Sequence, residues 1–161
     1  MKNQILGALA LTAAVMAAGP AGAARDLPPP APDGGYRVIA QGTHSGIESR
    51  RQIVIEDAGA FRTLWAEHAA GTMPAPPVPE VDFSRDRVVA VFAGSQPTGG
   101  YALQPSPPEA AHGRPKIRFT LKRPGPNCMA TQAMTQPFAM VRIPKSKSKV
   151  EIQVAETTVD C

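Results

Sequence analysis

A chain of 161 residues with 17 Lys and Arg against 13 Asp and Glu carries a formal charge of +4. That excess is mild and spread over several segments, which argues for solubility and against a nucleic-acid binder. Its 18 prolines and 14 glycines interrupt the chain too often for a helical bundle and favour short strands joined by turns.

The first 24 residues have the three parts of a secretory signal peptide: Lys2, an apolar core from Ile5 to Ala18, and the small-residue site Pro20-Ala21-Gly22-Ala23-Ala24. The core is too short and too alanine-rich for a membrane span. No Cys follows the cleavage region to carry a lipid. The sequence therefore predicts export, to the periplasm or beyond the cell, with no stable membrane anchor after cleavage. Residues 25–35, containing Leu27-Pro28-Pro29-Pro30-Ala31-Pro32, read as an extended linker. The folded domain is expected over residues 36–161, one domain's worth of chain.

Tyr36 to Gln41 reads as a first strand and Arg51 to Ile55 as a second, with Ile53 and Ile55 on one face. Asp57 is a helix N-cap residue, and Phe61, Leu64, Trp65 and His68 follow at i, i+3, i+4, i+7, with Gly71 placed to end the helix. Trp65 on that stripe is a core residue by this reading. Four prolines, at positions 74, 76, 77 and 79, exclude regular structure over the next stretch.

The stretch around which the rest is organised is Arg87 to Tyr101. Val88 to Ala93 is an unbroken apolar run, rich in β-branched residues, which reads as a strand buried on both faces. Gly94 ends it. Pro97 presets a turn, Gly99 and Gly100 permit positive φ or close approach of another backbone, and Tyr101 to Gln104 reads as the return strand. After an irregular connection from Pro105 to Pro115, Lys116 to Arg123 alternates, with Ile117, Phe119 and Leu121 on one side. Phe138 to Ile143 and Val150 to Val154 are the last strands, joined by the lysine-bearing turn Pro144 to Lys149. The expected fold is mainly β, of α+β type: an antiparallel sandwich or partly open barrel of about seven short strands with one packed amphipathic helix.

Cys128 and Cys161 both lie in the exported part. An oxidising compartment and an even count favour a disulfide between them, with two free thiols or an intermolecular bridge as the competing readings.

In order, a helix bearing Phe61, Leu64 and Trp65, the segment Val81-Asp82-Phe83, the strand Val88 to Val91, Gly94, the loop Pro97-Thr98-Gly99-Gly100-Tyr101, and Thr135-Gln136-Pro137-Phe138 before Val141-Arg142-Ile143-Pro144 resemble the C-terminal domain of the PrcB family, named for a protease-complex subunit. The resemblance runs roughly from Ile47 to Val154. It implies an exported, non-catalytic accessory domain that binds a protein, an exported protease or its complex. By position it marks Gly94, Gln96, Pro97, Thr98, Gly99, Gly100, Tyr101, Pro137 and Phe138 as the partner-binding set. PrcB itself is a lipoprotein, and this chain shows no lipidation Cys.

The loop has a second reading, as a tight hairpin connection whose glycines only satisfy backbone geometry. A rival functional class is the chagasin-like protease inhibitors, β-sandwiches that push a Pro-Thr-Thr-Gly-Tyr loop into a protease cleft, to which Pro97 to Tyr101 is similar. Here Gly99 stands where that family has its second Thr, and Arg123-Pro124 is followed by Gly125 where a Trp completes the inhibitors' companion loop. No Lys-Ser/Thr closes the loop as a phosphate cradle. His44, His68 and His112 sit in unrelated segments without metal-ligand spacing, and no serine elbow is present. Neither catalytic residue, metal nor cofactor is expected. Lys145, Lys147 and Lys149 could meet an acidic partner or a membrane surface; without interleaved aromatics a solvated hairpin turn is the simpler account.

Overall fold

The computed structural model describes residues 35–111 and 114–161. The signal-peptide reading, the linker up to residue 34, and His112 lie outside the described residues. Within them the chain forms β1 (Arg37–Gly42), β2 (Arg50–Ile55), α1 (Ala58–His68), β3 (Asp86–Ala93), β4 (Ala102–Pro105), β5 (Glu109–Ala111), β6 (Arg114–Pro124), β7 (Phe138–Pro144) and β8 (Glu151–Val159). It is a β-rich α+β fold of two open sheets with one helix laid on the outside of the first.

The first sheet has the order β1-β7-β3-β2, all antiparallel. All eight residues of β3 are buried, and the reason is layering. Val88, Ala90 and Phe92 point to the helix, where they meet Phe61, Leu64 and Trp65. Val89, Val91 and Ala93 point to the second sheet, where they meet Leu103, Ile117, Phe119 and Leu121. A strand covered on both sides needs no polar face, so its sequence loses the alternation of a half-exposed strand. Each fully buried Val or Phe there contributes roughly 1.5 to 3 kcal/mol of transfer free energy.

The helix starts as expected. The Asp57 carboxylate accepts from the Ala60 amide at 2.8 Å, and Gly71 takes φ +82° just beyond the last turn. Its buried stripe is Phe61, Leu64, Trp65 and His68. The Trp65 indole N–H donates to the carbonyl of Pro76 at 3.0 Å, which ties the proline-rich stretch down.

The second sheet departs from the sequence reading in three ways. β4 does not return beside β3. It pairs with β6 in the other sheet, so the glycine loop is a crossover between sheets. The late strands do not form a hairpin either: β8 leaves β7 and runs parallel to β6, from Lys116↔Glu151 to Pro124↔Val159. An additional strand, β5, appears in the expected irregular connection, because Glu109 to Ala111 finds Arg114 to Lys116 as an antiparallel partner. β6 thus lies between β8 on one side and β4 and β5 on the other.

Lys145 is not a free cation on a hairpin tip. Its ammonium donates to the carbonyls of Glu56 at 2.9 Å and Phe83 at 2.6 Å. Buried Arg87 holds the same connection, donating through Nη2 to Ser146 Oγ at 2.6 Å and to the Ser148 carbonyl at 3.1 Å.

Cys128 and Cys161 are disulfide-bonded, with Cα atoms 5.2 Å apart. Because β6 and β8 are parallel, their C-terminal ends lie together, and the bond staples those ends.

Candidate functional site

β3 delivers the chain to the corner at Gly94, which has φ +75°. A Cβ there would meet the Arg50 amide nitrogen at 3.0 Å and the Glu48 carbonyl at 3.1 Å, so glycine is required twice over. Ser95 donates its amide to that same Glu48 carbonyl at 2.8 Å. Gln96 then forms an antiparallel bridge with Thr135, its amide donating at 2.7 Å and the Thr135 amide returning at 3.1 Å. The Gln96 side chain folds back to donate to the Ala93 carbonyl at 3.1 Å.

The segment from Thr131 to Pro137 is therefore a brace along the corner. Thr135 Oγ1 donates to the Thr98 carbonyl at 2.9 Å, the Gly99 amide donates to the Thr131 carbonyl at 2.9 Å, and the Ala93 amide donates to the Pro137 carbonyl at 2.8 Å. A Cβ on Gly99 would collide with Thr131 Oγ1. Gly100 turns the chain with φ +82° into Tyr101, whose ring packs on the core between the sheets. The motif around Thr135 and the glycine loop, far apart in sequence, are one unit in space.

Of the residues marked by the resemblance, Pro97 and Gly100 are exposed, and Gln96, Thr98 and Tyr101 are half-buried. Gly94, Gly99, Pro137 and Phe138 are buried. Phe138 spends its surface on the helix layer, with its ring 4.1 Å from the His68 imidazole and 6.2 Å from Phe92. The exposed surface of the marked set is thus Pro97 and Gly100 with the outer parts of three neighbours. Sequence reasoning missed two residues beside it. Met129 and Met134, on the loop that forms the brace, are exposed. The bridge at Gln96 and Thr135 puts Met134 beside Pro97. Two methionines in an otherwise polar, uncharged stretch were the available signal, since unbranched thioethers suit adaptable binding surfaces.

The histidines do not converge. His44 is exposed and near Thr43 Oγ1, whereas His68 lies among Trp65, Phe92 and Phe138 with its Nδ1 2.9 Å from Ser45 Oγ. Burial holds the His68 imidazole below its ordinary pKa. Among the described residues no group of three or more His, Cys, Asp or Glu is placed to hold a metal, and no helix is long and apolar enough to cross a membrane.

These features define a two-sheet β domain with one covering helix, whose sheet-to-sheet crossover is clipped by a distant brace. Residues 87–144, from β3 through β7, match the family model described as PrcB C-terminal. Across that segment the chain is similar to the PrcB family, and the match takes in both the corner and its brace. It is narrower than the motif resemblance, which began at Ile47 and ran to Val154. No curated protein and no solved structure matches the chain.

Proposed function

We propose that this protein is an exported, non-catalytic accessory subunit of a protease complex, which docks on its partner protein through the clipped corner. The observation that carries the reading is the corner's construction. Backbone hydrogen bonds to Glu48 and to the brace from Thr131 to Pro137 fix it, yet Pro97 and Gly100 stay exposed, flanked by exposed Met134. A rigid small patch with apolar side chains loses little conformational entropy on docking. The family name supplies the protease context, and the disulfide fits an oxidising compartment.

The inhibitor alternative asks the loop to stand clear of its own domain and enter a cleft. Gly99 is buried against Thr131, and the corner lies along its brace, which favours surface docking. The test is affinity capture of partner proteins from the exported fraction, with wild type and with Pro97→Glu combined with Met134→Glu. Recovery of a protease by wild type and its loss in the double variant supports the reading. Equal recovery by both removes the corner from it, and sub-micromolar inhibition of papain-like proteases by the purified protein would transfer the case to the alternative.

A further inference from the structure

At the other end of β3, about 20 Å from the corner by strand rise, the molecule has an open cleft of about 770 Å³ between β1, the first turn of α1 and residues 78–85. Its volume is that of a ligand site for something larger than a single small ion. Four arginines line it: Arg37 on β1, Arg62 on α1, Arg142 on β7, and Arg85, which is paired with Asp82.

Their arrangement conflicts with the fold's own stability. Arg37 and Arg142 are direct cross-strand partners, so two guanidinium side chains leave the same face of the sheet side by side. Like charges in that position destabilise a strand pair. Arg142 is only partly relieved, by Asp86 at 3.5 Å, and its buried Nε has no hydrogen-bond partner. The backbones of Arg37 and Arg62 are paired within β1 and α1, but neither guanidinium has a hydrogen bond or an ion pair among the described residues. Orphaned donors and repelling cations collected in a cleft point to an anion supplied from outside.

The walls indicate what carries that anion. Val38 and Val78 are 39% and 44% exposed, and Ile39, Val81 and Phe83 add apolar surface behind them. β1 is an edge strand of its sheet, and consecutive residues 37–39 line the cleft, with the register shifting between Val38 and Ala40. An edge strand offers main-chain donors and acceptors to an incoming extended segment, and guanidinium groups take carboxylates in paired hydrogen bonds.

We propose that the β1 cleft binds an extended acidic peptide segment of a partner protein, its backbone along β1 and a carboxylate side chain held between Arg37, Arg142 and Arg62. Of the lining carboxylates, Asp82 is already engaged by Ser84 and Arg85. Glu80 is without a partner among the described residues and opposes such a ligand. The cleft is distinct from the corner, so each can fail without the other.

The experiment is selection of a displayed random heptapeptide library on the purified, disulfide-intact protein, followed by titration of the enriched peptides with a fluorescent label. Enrichment of Asp and Glu is expected. Arg37→Gln with Arg62→Gln should weaken the selected peptide about tenfold, Glu80→Gln should tighten it about twofold, and Pro97→Glu should leave it unchanged. All three substituted cleft side chains are exposed, so the variants should fold. Absence of acidic enrichment, or indifference of affinity to the arginines, overturns the proposal. So does loss of binding in Pro97→Glu alone, which would seat the peptide at the corner. Displacement by millimolar inorganic phosphate as effective as by unlabelled peptide would also overturn it, in favour of a small-anion site.

Discussion

Removing the Cys128–Cys161 bond tests how the second sheet is held. The cysteines are separated by 33 positions, and for a loop of that size the chain-entropy account gives about 4 kcal/mol of stabilisation through the unfolded state. The bond also sits where the native sheet needs it. β8 is an edge strand paired only with β6 among the described residues, its burial is partial, and its last residues are exposed. Only Ile152 and Val154 of β8, with Val150 just before it, pack on the core between the sheets. Cys128→Ser with Cys161→Ser should therefore lower the urea midpoint by about 2 M at a slope near 2 kcal/mol per M. Amide exchange should accelerate first in β8 and then in the outer half of β6, while β3 and β7 keep their protection. A loss under about 1 kcal/mol, with β8 amides exchanging as in the disulfide-bonded protein, would refute the view that the staple holds the parallel edge.

Gly94→Ala forces a side chain into left-handed backbone and against the Glu48 carbonyl, and should cost about 2 kcal/mol, read as a fall in Tm of roughly 8 °C. An unchanged Tm would contradict the corner geometry. His68 is kept neutral by burial, so its native pKa lies below the unfolded value of 6.5. Unfolding takes up a proton below that value, so the stability present at pH 7 is lost progressively as pH falls through 6.5 towards the native pKa. Wild type should lose stability relative to His68→Phe over that interval, and parallel curves would count against it. Arg87→Met keeps much of the volume but gives up the bonds to Ser146 and Ser148; about 2 kcal/mol should be lost, with faster amide exchange in residues 145–149. A neutral effect in chemical denaturation would show that the guanidinium does not anchor that connection.

Much of the local structure was legible because short-range physics decides it. The cap at Asp57, the stripe from Phe61 to His68, the alternation of Ile117, Phe119 and Leu121, and the interior strand Val88 to Ala93 all depend on a residue's immediate neighbours and on which faces are covered. β5 was hidden because Glu109-Ala110-Ala111 has little strand preference of its own and is a strand only through its partner in β6. The site was half legible. Its glycines announced a corner, but whether Phe138 faced a partner or the core depended on His68 and Phe92 arriving from elsewhere.

The residues alone determined which segments are strands apart from β5, where the helix begins and ends, that β3 is interior, and that a corner follows Gly94, since each is a matter of φ preference and apolar periodicity over a few positions. Tertiary structure alone decided that β3 and β4 lie in different sheets, that β8 runs parallel to β6, that Thr135 clips Gln96, and that Arg37 faces Arg142. Those outcomes come from pairing between distant segments, where the free energy of covering a common core outweighs the nearness along the chain on which a hairpin reading rests.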